Sequence, residues 1–136
     1  MEKITVRNKI DKPVGTVWNL YTDPSHIVKW NTATAEWHTP RAENDLRKGG
    51  RFLSRMEARD GSMGFDFSGT YDEVEKHERI EYTLDDGRKV LVTFGSKGDS
   101  TEVTVSFDPE STNPVEMQRG GWQAILDSFK LYADKQ

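Results

Sequence analysis

The sequence predicts an α+β fold in which a curved antiparallel sheet of about six to seven strands surrounds one long C-terminal helix. A long run of apolar residues at helical spacing occurs only at the end of the chain, over residues 113–135. Before it, some sixty residues alternate between apolar and polar side chains, with tight turns between successive runs. Such short connections require antiparallel neighbours. A curved sheet covered by one helix tends to enclose space, so the first functional question is what fills it.

The first elements are predicted to be a strand and two short helices. Residues 3–10 alternate apolar and polar side chains up to a Lys-Pro pair, which is typical of a strand. Over residues 14–21 the apolar period changes to that of a helix, and a second helical segment holds the apolar residues of 27–30. Asp23 and Pro24 separate the two, because proline interrupts a helix.

The strands follow, separated by turns that contain glycine. Alternation resumes over residues 34–39, and a polar loop is predicted from Pro40 to Gly50. Turns are then predicted at Asp60-Gly61, at Asp85-Asp86-Gly87 and from Gly95 to Ser100. The strands between these turns carry apolar residues on one face, centred on residues 52–56, 65–71, 80–84, 90–94 and 103–107.

The final helix has a marked start and one apolar face. Asn113 is predicted to cap it, Pro114 to occupy its first position, and Glu116 to reach back to the cap amide. Its apolar residues recur at steps of three and four, which predicts one buried stripe: Trp122, Ile125, Leu126, Phe129, Tyr132 and Ala133.

Two glycines interrupt this helical pattern. Gly120 and Gly121 each cost a helix roughly 1 kcal/mol relative to alanine, so we expect a close backbone approach or a bend there. A packing notch for a neighbouring strand is the first interpretation, and a notch that admits a ligand is the second.

Composition limits the class of protein. The 136 residues fit a single domain, residues 1–136, large enough to bury a core. The net charge is -4 and the basic residues are interspersed with acidic ones, which argues against nucleic acid and anionic membranes as partners. The chain has no cysteine and no apolar stretch of membrane-spanning length, so we predict a soluble cytoplasmic protein without membrane insertion.

Large inward-facing side chains form the candidate ligand site. Rings on a concave sheet opposite a helix with two glycines leave gaps, so we expect a mainly apolar pocket. Ser54 is a candidate polar contact, and Thr70 is another if a bulge shifts the register of its strand. The predicted cavity residues are Trp37, Phe52, Ser54, Met56, Phe65, Phe67, Tyr71, Tyr82, Phe94, Trp122, Ile125 and Phe129.

No catalytic or metal constellation is evident. The three histidines, His26, His38 and His77, have no metal-ligand spacing, so neither a metal nor a cofactor is predicted. Asp66 and Glu36 lie in strands without an identifiable partner, and the outer sheet face is their expected place. The sequence therefore predicts no catalytic residue, and a binding role is favoured over an enzymatic one.

Several short motifs resemble a known family. The sequence is similar to homologues of the activator of the heat-shock-protein-90 ATPase, which belong to the START-related, birch-pollen-allergen-like helix-grip superfamily, also called SRPBCC. The likeness covers nearly the whole chain in order, through Val17-Trp18, Thr22-Asp23-Pro24 with Trp30, Asp45 to Phe52, Glu78-Arg79-Ile80 and Gly121-Trp122.

The resemblance implies a bent antiparallel sheet gripping the C-terminal helix, with two short helices closing one end and a cavity between helix and sheet. Superfamily members bind lipids, steroids, polyketides or plant hormones, and some resemble cyclases or hydratases. We expect no second, N-terminal domain of the eukaryotic co-chaperone type, and this expectation weakens a direct co-chaperone interpretation.

Three functions follow in order of preference. The first is a binding protein for a small hydrophobic or amphipathic molecule, entered near the short helices and the loop from Pro40 to Gly50. The second is a cyclase-like or hydrolase-like enzyme that uses the same cavity and needs an inward ionisable pair. The third is a stress-related interaction module, which contacts a chaperone or forms a homodimer through a sheet edge or an exposed tryptophan such as Trp30.

Overall fold

A computed structural model describes residues 2–136 and shows seven strands and three helices. Two short helices follow the first strand, six strands come next, and one long helix ends the chain. The elements are β1 (Ile4–Ile10), α1 (Val14–Thr22), α2 (Pro24–Trp30), β2 (Trp37–Asn44), β3 (Arg51–Ala58), β4 (Gly64–Glu75), β5 (Arg79–Leu84), β6 (Lys89–Ser96), β7 (Thr101–Phe107) and α3 (Val115–Asp134).

All seven strands form one antiparallel sheet in the order β1-β7-β6-β5-β4-β3-β2. The sheet curls into a half-barrel, and α3 lies against its concave face. The first strand and the strand that follows the two short helices therefore form opposite edges of the sheet. This arrangement confirms the predicted α+β architecture, including the helix that the sheet grips.

The concave face holds the core because successive side chains of a strand point to opposite sides. On β7, Thr101, Val103, Val105 and Phe107 are buried, whereas the residues between them are partly exposed. The same alternation runs through β6. Helix α1 covers one end of this apolar face with Val17, Trp18 and Leu20.

The two short helices are set by proline and aspartate. Pro13 precedes α1 with an extended backbone, ψ 156°, and the helix ends at Thr22. Asp23 then caps α2, because its Oδ1 accepts a hydrogen bond of 2.9 Å from the Ser25 amide, and Pro24 takes the first helical position.

The start of α3 differs from its predicted capping. The helix begins at Val115, Pro114 is its N-cap with ψ 146°, and no side chain caps it. Gln118 provides the anchorage instead: its amide side chain accepts from the Glu110 backbone N–H at 2.8 Å and donates to two carbonyls, those of Glu110 and Asn113. The expected capping by Asn113 and Glu116 is therefore wrong, because a tertiary contact to the preceding loop takes its place.

The predicted loop from Pro40 to Gly50 is half strand. Strand β2 continues to Asn44, and its pairing with β3 shifts register between His38 and Arg41. Pro40 lies within this irregularity on an edge strand, where its missing N–H removes no central ladder bond. Only residues 45–50 form the connection.

Trp30 is not an exposed contact residue. It is 5% exposed, and its indole Nε1 donates to the Leu20 carbonyl at 2.9 Å. Its ring stacks on Tyr21 and meets Phe129 edge-on, with centroids 5.0 and 4.9 Å away. The expectation of an interaction surface at Trp30 is therefore wrong.

Helix α3 is attached along one side and at its C-terminal half. Side chains on that side bind the edge strand β1: Gln123 and Lys130 donate to the carbonyls of Arg7 and Lys9, at 3.1 and 2.7 Å. On the opposite side, Ser128 donates to the Trp30 carbonyl at 2.7 Å. These contacts hold the helix beside β1 and α2.

A substitution at Phe129 tests how much the packing of α3 against the short helices contributes to stability. It is fully buried against Tyr21 and Trp30, so Phe129→Ala is expected to lower the free energy of unfolding by about 3–5 kcal/mol. Leu131→Ala, on the same helix and 65% exposed, is the matched control and should cost less than about 0.5 kcal/mol. Urea unfolding followed by circular dichroism measures both, and equal losses would contradict the described burial.

Asp85 on the outer sheet face gives a pH-dependent contribution. Arg51 binds both of its oxygens, at 2.7 and 2.9 Å, and Ser68 donates at 2.5 Å; these bonds lower the pKa of Asp85 from 3.8 to about 2. The lowered pKa means that the carboxylate stabilises the fold above about pH 4 and that this contribution is lost as the pH falls towards about 2.

The variant Asp85→Asn should therefore lose less stability than the parent protein between about pH 4 and pH 2. Urea unfolding at a series of pH values measures the difference, with Asp99→Asn, an exposed aspartate of the β6–β7 turn, as the control. An unchanged pH dependence in Asp85→Asn would exclude the ion pair as a source of acid sensitivity.

Candidate functional site

A cavity of about 360 Å³ lies between α3 and the concave faces of the central and β3-side strands. Strands β3, β4 and β5 supply one wall, α3 supplies the opposite wall, and the ends of α1 and α2 close one end. Its volume falls within the range that holds small ligands. Phe65 lines the cavity and is 49% exposed, so the cavity reaches the surface there.

A cluster of aromatic rings forms the sheet wall. Phe52 lies at its centre, with ring centroids 5.9 Å from Phe67, 5.3 Å from Tyr71 and 4.8 Å from Tyr82. Gly69 makes room for this ring, because a Cβ there would stand 3.0 Å from Phe52 and 2.5 Å from a backbone oxygen. The ring edges and faces give the cavity an apolar wall of fixed shape.

Trp122 holds the helix wall in place. Its ring stacks on Phe107 with centroids 4.0 Å apart and an interplanar angle of 12°. It also meets Phe67 edge-on at 6.0 Å, so that it bridges β7 and β4. Ile125 and Leu126, one turn further along α3, continue this wall.

The structure brings together nine of the twelve residues predicted for the cavity. These nine line it: Phe52, Ser54, Met56, Phe65, Phe67, Tyr71, Tyr82, Trp122 and Ile125. That they contact a ligand stays a prediction.

The other three predicted residues lie elsewhere. Phe94 faces inwards but is covered by α1, with Trp18 at 5.0 Å. Phe129 is enclosed by α1 and α2, and Trp37, near the sheet edge, packs against Phe65 at 5.9 Å. Strand alternation and the apolar stripe of a helix show which side chains face inwards, but not which of them the short helices cover.

Several cavity residues were not predicted from the sequence. The short helices supply Tyr21, Ile27, Trp30 and Asn31, and the predicted loop supplies Asn44 alone. Further polar residues line the cavity where β6 and α3 begin: Arg88, Glu110, Asn113 and Gln118. The helical stripes that contain Tyr21 and Trp30 were a usable signal, because both residues repeat on the buried side of their helices.

Three tyrosines line the cavity, and they differ in whether the hydroxyl is hydrogen-bonded. Tyr71 donates its hydroxyl to Asn44 at 2.6 Å. The hydroxyls of Tyr21 and Tyr82 make no hydrogen bond to any residue of 2–136, and every fully buried polar side-chain atom in that range has a partner. These two hydroxyls therefore touch open space, and the space that their residues line is the cavity.

Burial keeps these phenols protonated. Removal from water raises the pKa of Tyr21 above its ordinary value, and it raises that of Tyr82 well above, with a further increase from the neighbouring phenols. At neutral pH both hydroxyls are neutral and can donate a hydrogen bond. They cannot serve as general bases there.

Ser54 and Thr70 differ in their placement. Ser54 is 6% exposed and lines the cavity, as the alternation of β3 predicts. The bulge in β4 falls between Tyr71 and Glu73, after Thr70, so it does not turn Thr70 inwards. Thr70 instead accepts a hydrogen bond from Arg51 at 3.0 Å on the outer face.

The described part of the chain contains no group of three or more histidines and acidic residues placed to hold a metal ion. Each of the three histidines contacts a different residue. His26 is hydrogen-bonded to Tyr132 at 2.6 Å, His38 lies 4.0 Å from Glu57, and His77 packs edge-on against Trp18. Within residues 2–136, no helix has both the length and the apolarity needed to cross a membrane.

The curved sheet, the C-terminal helix that it grips and the cavity between them define a helix-grip domain. Residues 11–134 match the family described as "Activator of Hsp90 ATPase homolog 1-like protein". The chain belongs to this family, within the START-like superfamily, as its sequence motifs predict. Membership supports a helix-grip ligand-binding or co-chaperone-like domain.

Solved structures agree with this assignment. The solution structure of the AHSA1-like protein from Aeromonas hydrophila is 43% identical, covers 98% of this chain and 92% of its own, and has a TM-score of 0.92. A protein from Cytophaga hutchinsonii is 52% identical with the same coverages and a TM-score of 0.85.

A more distant structure shares the fold alone. A Nitrosomonas europaea protein, at 18% identity, covers 98% of this chain and 95% of its own, with a TM-score of 0.83. No match to the chain is found among curated proteins.

The helical glycines do not form a packing notch. A Cβ at Gly120 or Gly121 would meet no neighbouring atom within 4 Å, so the expected close strand is absent from the described residues. Gly121 lies one turn before Ile125 and shares its side of the helix, next to the cavity. The second interpretation, a notch that admits a ligand, stays a prediction.

Replacing either glycine by alanine should therefore stabilise the protein. Gly120→Ala and Gly121→Ala are each expected to raise the free energy of unfolding by about 1 kcal/mol, because helix propensity improves without a clash. Thermal and urea unfolding measure the change. A loss of stability in either variant would show that the position requires glycine.

Proposed function

We propose that the protein binds a small amphipathic molecule in the cavity between α3 and the sheet. The observation that carries this proposal is the 360 Å³ space with largely aromatic and aliphatic walls. Burial of apolar ligand surface would supply about 25 cal/mol per Å², against the cost of ordering the ligand. A packed core leaves few voids larger than a water molecule, so a space of this size favours an occupant.

The polar groups of the cavity support a more specific ligand chemistry. Tyr21 and Tyr82 present neutral hydroxyls that lack a hydrogen-bond partner among residues 2–136, and Ser54 lies on the same concave face. A ligand with a carbonyl or hydroxyl oxygen inside an apolar frame would accept their hydrogen bonds. A pure hydrocarbon would leave these donors unsatisfied, which costs binding free energy.

The charged end of the cavity favours an amphipathic ligand over a wholly apolar one. Arg88 lines the cavity and is held at its Nε by Asp86, at 2.8 Å. Its terminal nitrogens have no hydrogen-bond partner in the described part of the chain, so they can bind an acceptor. Glu110 is fixed nearby through Asn113 and Gln118. The polar group of a ligand would lie at this end, and its apolar body would lie along Phe52 and Trp122.

The cavity supports a carrier better than an enzyme. The ionisable groups with shifted pKa inside it are tyrosines, and the shift is upward, away from neutral pH. Such groups donate hydrogen bonds but do not abstract protons at neutral pH. Arg88 and Glu110 line one end without forming an ion pair with each other among the described residues.

Native mass spectrometry of freshly purified protein is the direct test of an occupant. Tryptophan fluorescence then follows titration, because Trp30 and Trp122 line the cavity whereas Trp18 and Trp37 do not. Titration should change the fluorescence of the parent protein saturably, and Trp122→Phe should remove much of that change. A protein that carries no adduct and responds to no member of a panel of fatty acids and flat aromatic ketones would overturn the proposal.

Tyr82 allows a sharper test with two matched probes. 2-Acetylnaphthalene carries a carbonyl, and 2-ethylnaphthalene has nearly the same shape without an acceptor. Tyr82→Phe should weaken binding of the ketone about three- to tenfold, the loss expected for one hydrogen bond, and leave the hydrocarbon almost unchanged. Tyr132→Phe, whose hydroxyl contacts His26 away from the cavity, is the control. Equal effects on both probes would refute the role of the hydroxyl.

The family description supports a second candidate, contact with a chaperone of the Hsp90 type. The exposed apolar residues Met63 and Phe65, 65% and 49% exposed, lie at the β3–β4 hairpin and would supply such a contact. Measurement of an Hsp90 ATPase rate with and without the protein tests it. Stimulation that survives Tyr82→Phe but is lost in Met63→Ser would separate this function from ligand binding.

A further inference from the structure

A second open space, separate from the cavity, lies on the other side of α1. This cleft, of about 520 Å³, lies between α1, the turn that joins β4 to β5, and the segment after β2. The residues that matter for its chemistry are Gly15, Trp18 and Asn19 of α1, and Lys76 and His77 of the turn. Thr22 is the one residue that lines both spaces.

Trp18 leaves a hydrogen-bond donor unused in this cleft. The residue is only 5% exposed, and its Nε1 has no hydrogen-bond partner within residues 2–136. Because every fully enclosed polar side-chain atom in that range is paired, the small exposed part of Trp18 includes this N–H. Trp18 lines the cleft and not the cavity, so we assign this donor to the cleft. Trp30, Trp37 and Trp122 do not line the cleft, so a ligand bound there would contact Trp18 and none of these three.

His77 is held beside this donor by an uncommon backbone. It has φ 68°, the one positive φ of a non-glycine residue in the described chain. Histidine, asparagine and aspartate are the residues with a side chain that adopt this region most often. The His77 ring meets Trp18 edge-on at 6.0 Å and lies near Gly15, where a Cβ would be 3.9 Å away.

The polar groups of the cleft are predominantly donors. Lys76 carries a positive charge, and Asn19, His77 and Trp18 can each donate a hydrogen bond. No carboxylate belongs to the cleft lining among the residues that the structure describes. Two nearby acidic residues are already paired: Glu73 with Lys48 at 3.2 Å, and Glu75 with Arg79 at 2.6 Å. Glu78 is exposed on the same turn.

From this geometry we propose that the cleft binds the oxyanion of a small molecule, a carboxylate or a phosphate. Trp18 Nε1 donates to one oxygen and Lys76 neutralises the charge, while His77 closes the side of the site next to Gly15. Leu46 and Val74 give the cleft an apolar rim for the remainder of the molecule. The inference does not depend on the cavity having a ligand.

Nuclear magnetic resonance of the indole N–H groups tests the proposal. The four tryptophans give four side-chain signals, and Trp18→Phe identifies that of Trp18 by its loss. Titration with acetate and, separately, with inorganic phosphate, each against chloride at constant ionic strength, should shift the Trp18 signal saturably. The anion that gives the tighter saturation shows which oxyanion the site prefers. A Trp18 signal that does not shift with either anion, or that shifts no more than the other three, would overturn the proposal.

Lys76→Gln provides a test that leaves the buried ring in place. It should weaken the saturable shift about three- to tenfold, because one charge-assisted contact is lost. Lys97→Gln, in the β6–β7 turn and outside the cleft lining, is the matched control and should leave the affinity unchanged. Equal weakening in both variants would mean that net charge, and not this cleft, attracts the anion. Cavity probes should bind Lys76→Gln as they bind the parent protein, which keeps this test separate from that of the proposed function.

Discussion

The structure depends on a mismatch of width between one helix and seven strands. Strands lie about 4.8 Å apart, so the face of this sheet is roughly 30 Å wide, whereas a helix with its side chains is about 10 Å across. Helix α3 is bound along β1 by Gln123 and Lys130, and Trp122 reaches β7 and β4. The strip over β3, β4 and β5 is beyond the reach of its backbone, and the cavity lies there.

The side chains that fill this strip are rings, and rings pack against one another at fixed edges and faces. Phe52 touches three other aromatic residues, and Gly69 is small enough to let it lie against the sheet. A continuous set of leucines would adapt to close the space. The stiffness of the aromatic wall limits how far it can close this space. At one end of the concave face Phe94 of β6 packs against Trp18 and Tyr21 of α1.

Much of this arrangement could be predicted because it follows from the spacing of apolar residues within each element and from the turns between elements. Alternation assigned the inward faces of β3 to β7, and turns with glycine gave the antiparallel order. What escaped prediction depends on contacts outside the local sequence pattern. Asn113-Pro114 satisfies a local capping pattern, but Gln118 binds the loop at Glu110 instead. Proline argues against a central strand, and Pro40 lies on an edge strand, a distinction that only the sheet order provides. Likewise, nothing local shows that Tyr21 and Phe129 enclose Trp30.

Further pairing at the two borders of the sheet is hindered by different means. On β1, the backbone oxygens of Arg7 and Lys9 are occupied by side chains of α3, and on β2 a proline and an irregular register break the outer ladder. Exposed edge strands can pair with the edge strand of another molecule, which is a common route to aggregation of β-proteins. The side chains of α3 on one margin and the irregular strand on the other therefore hinder the addition of a further strand to this sheet.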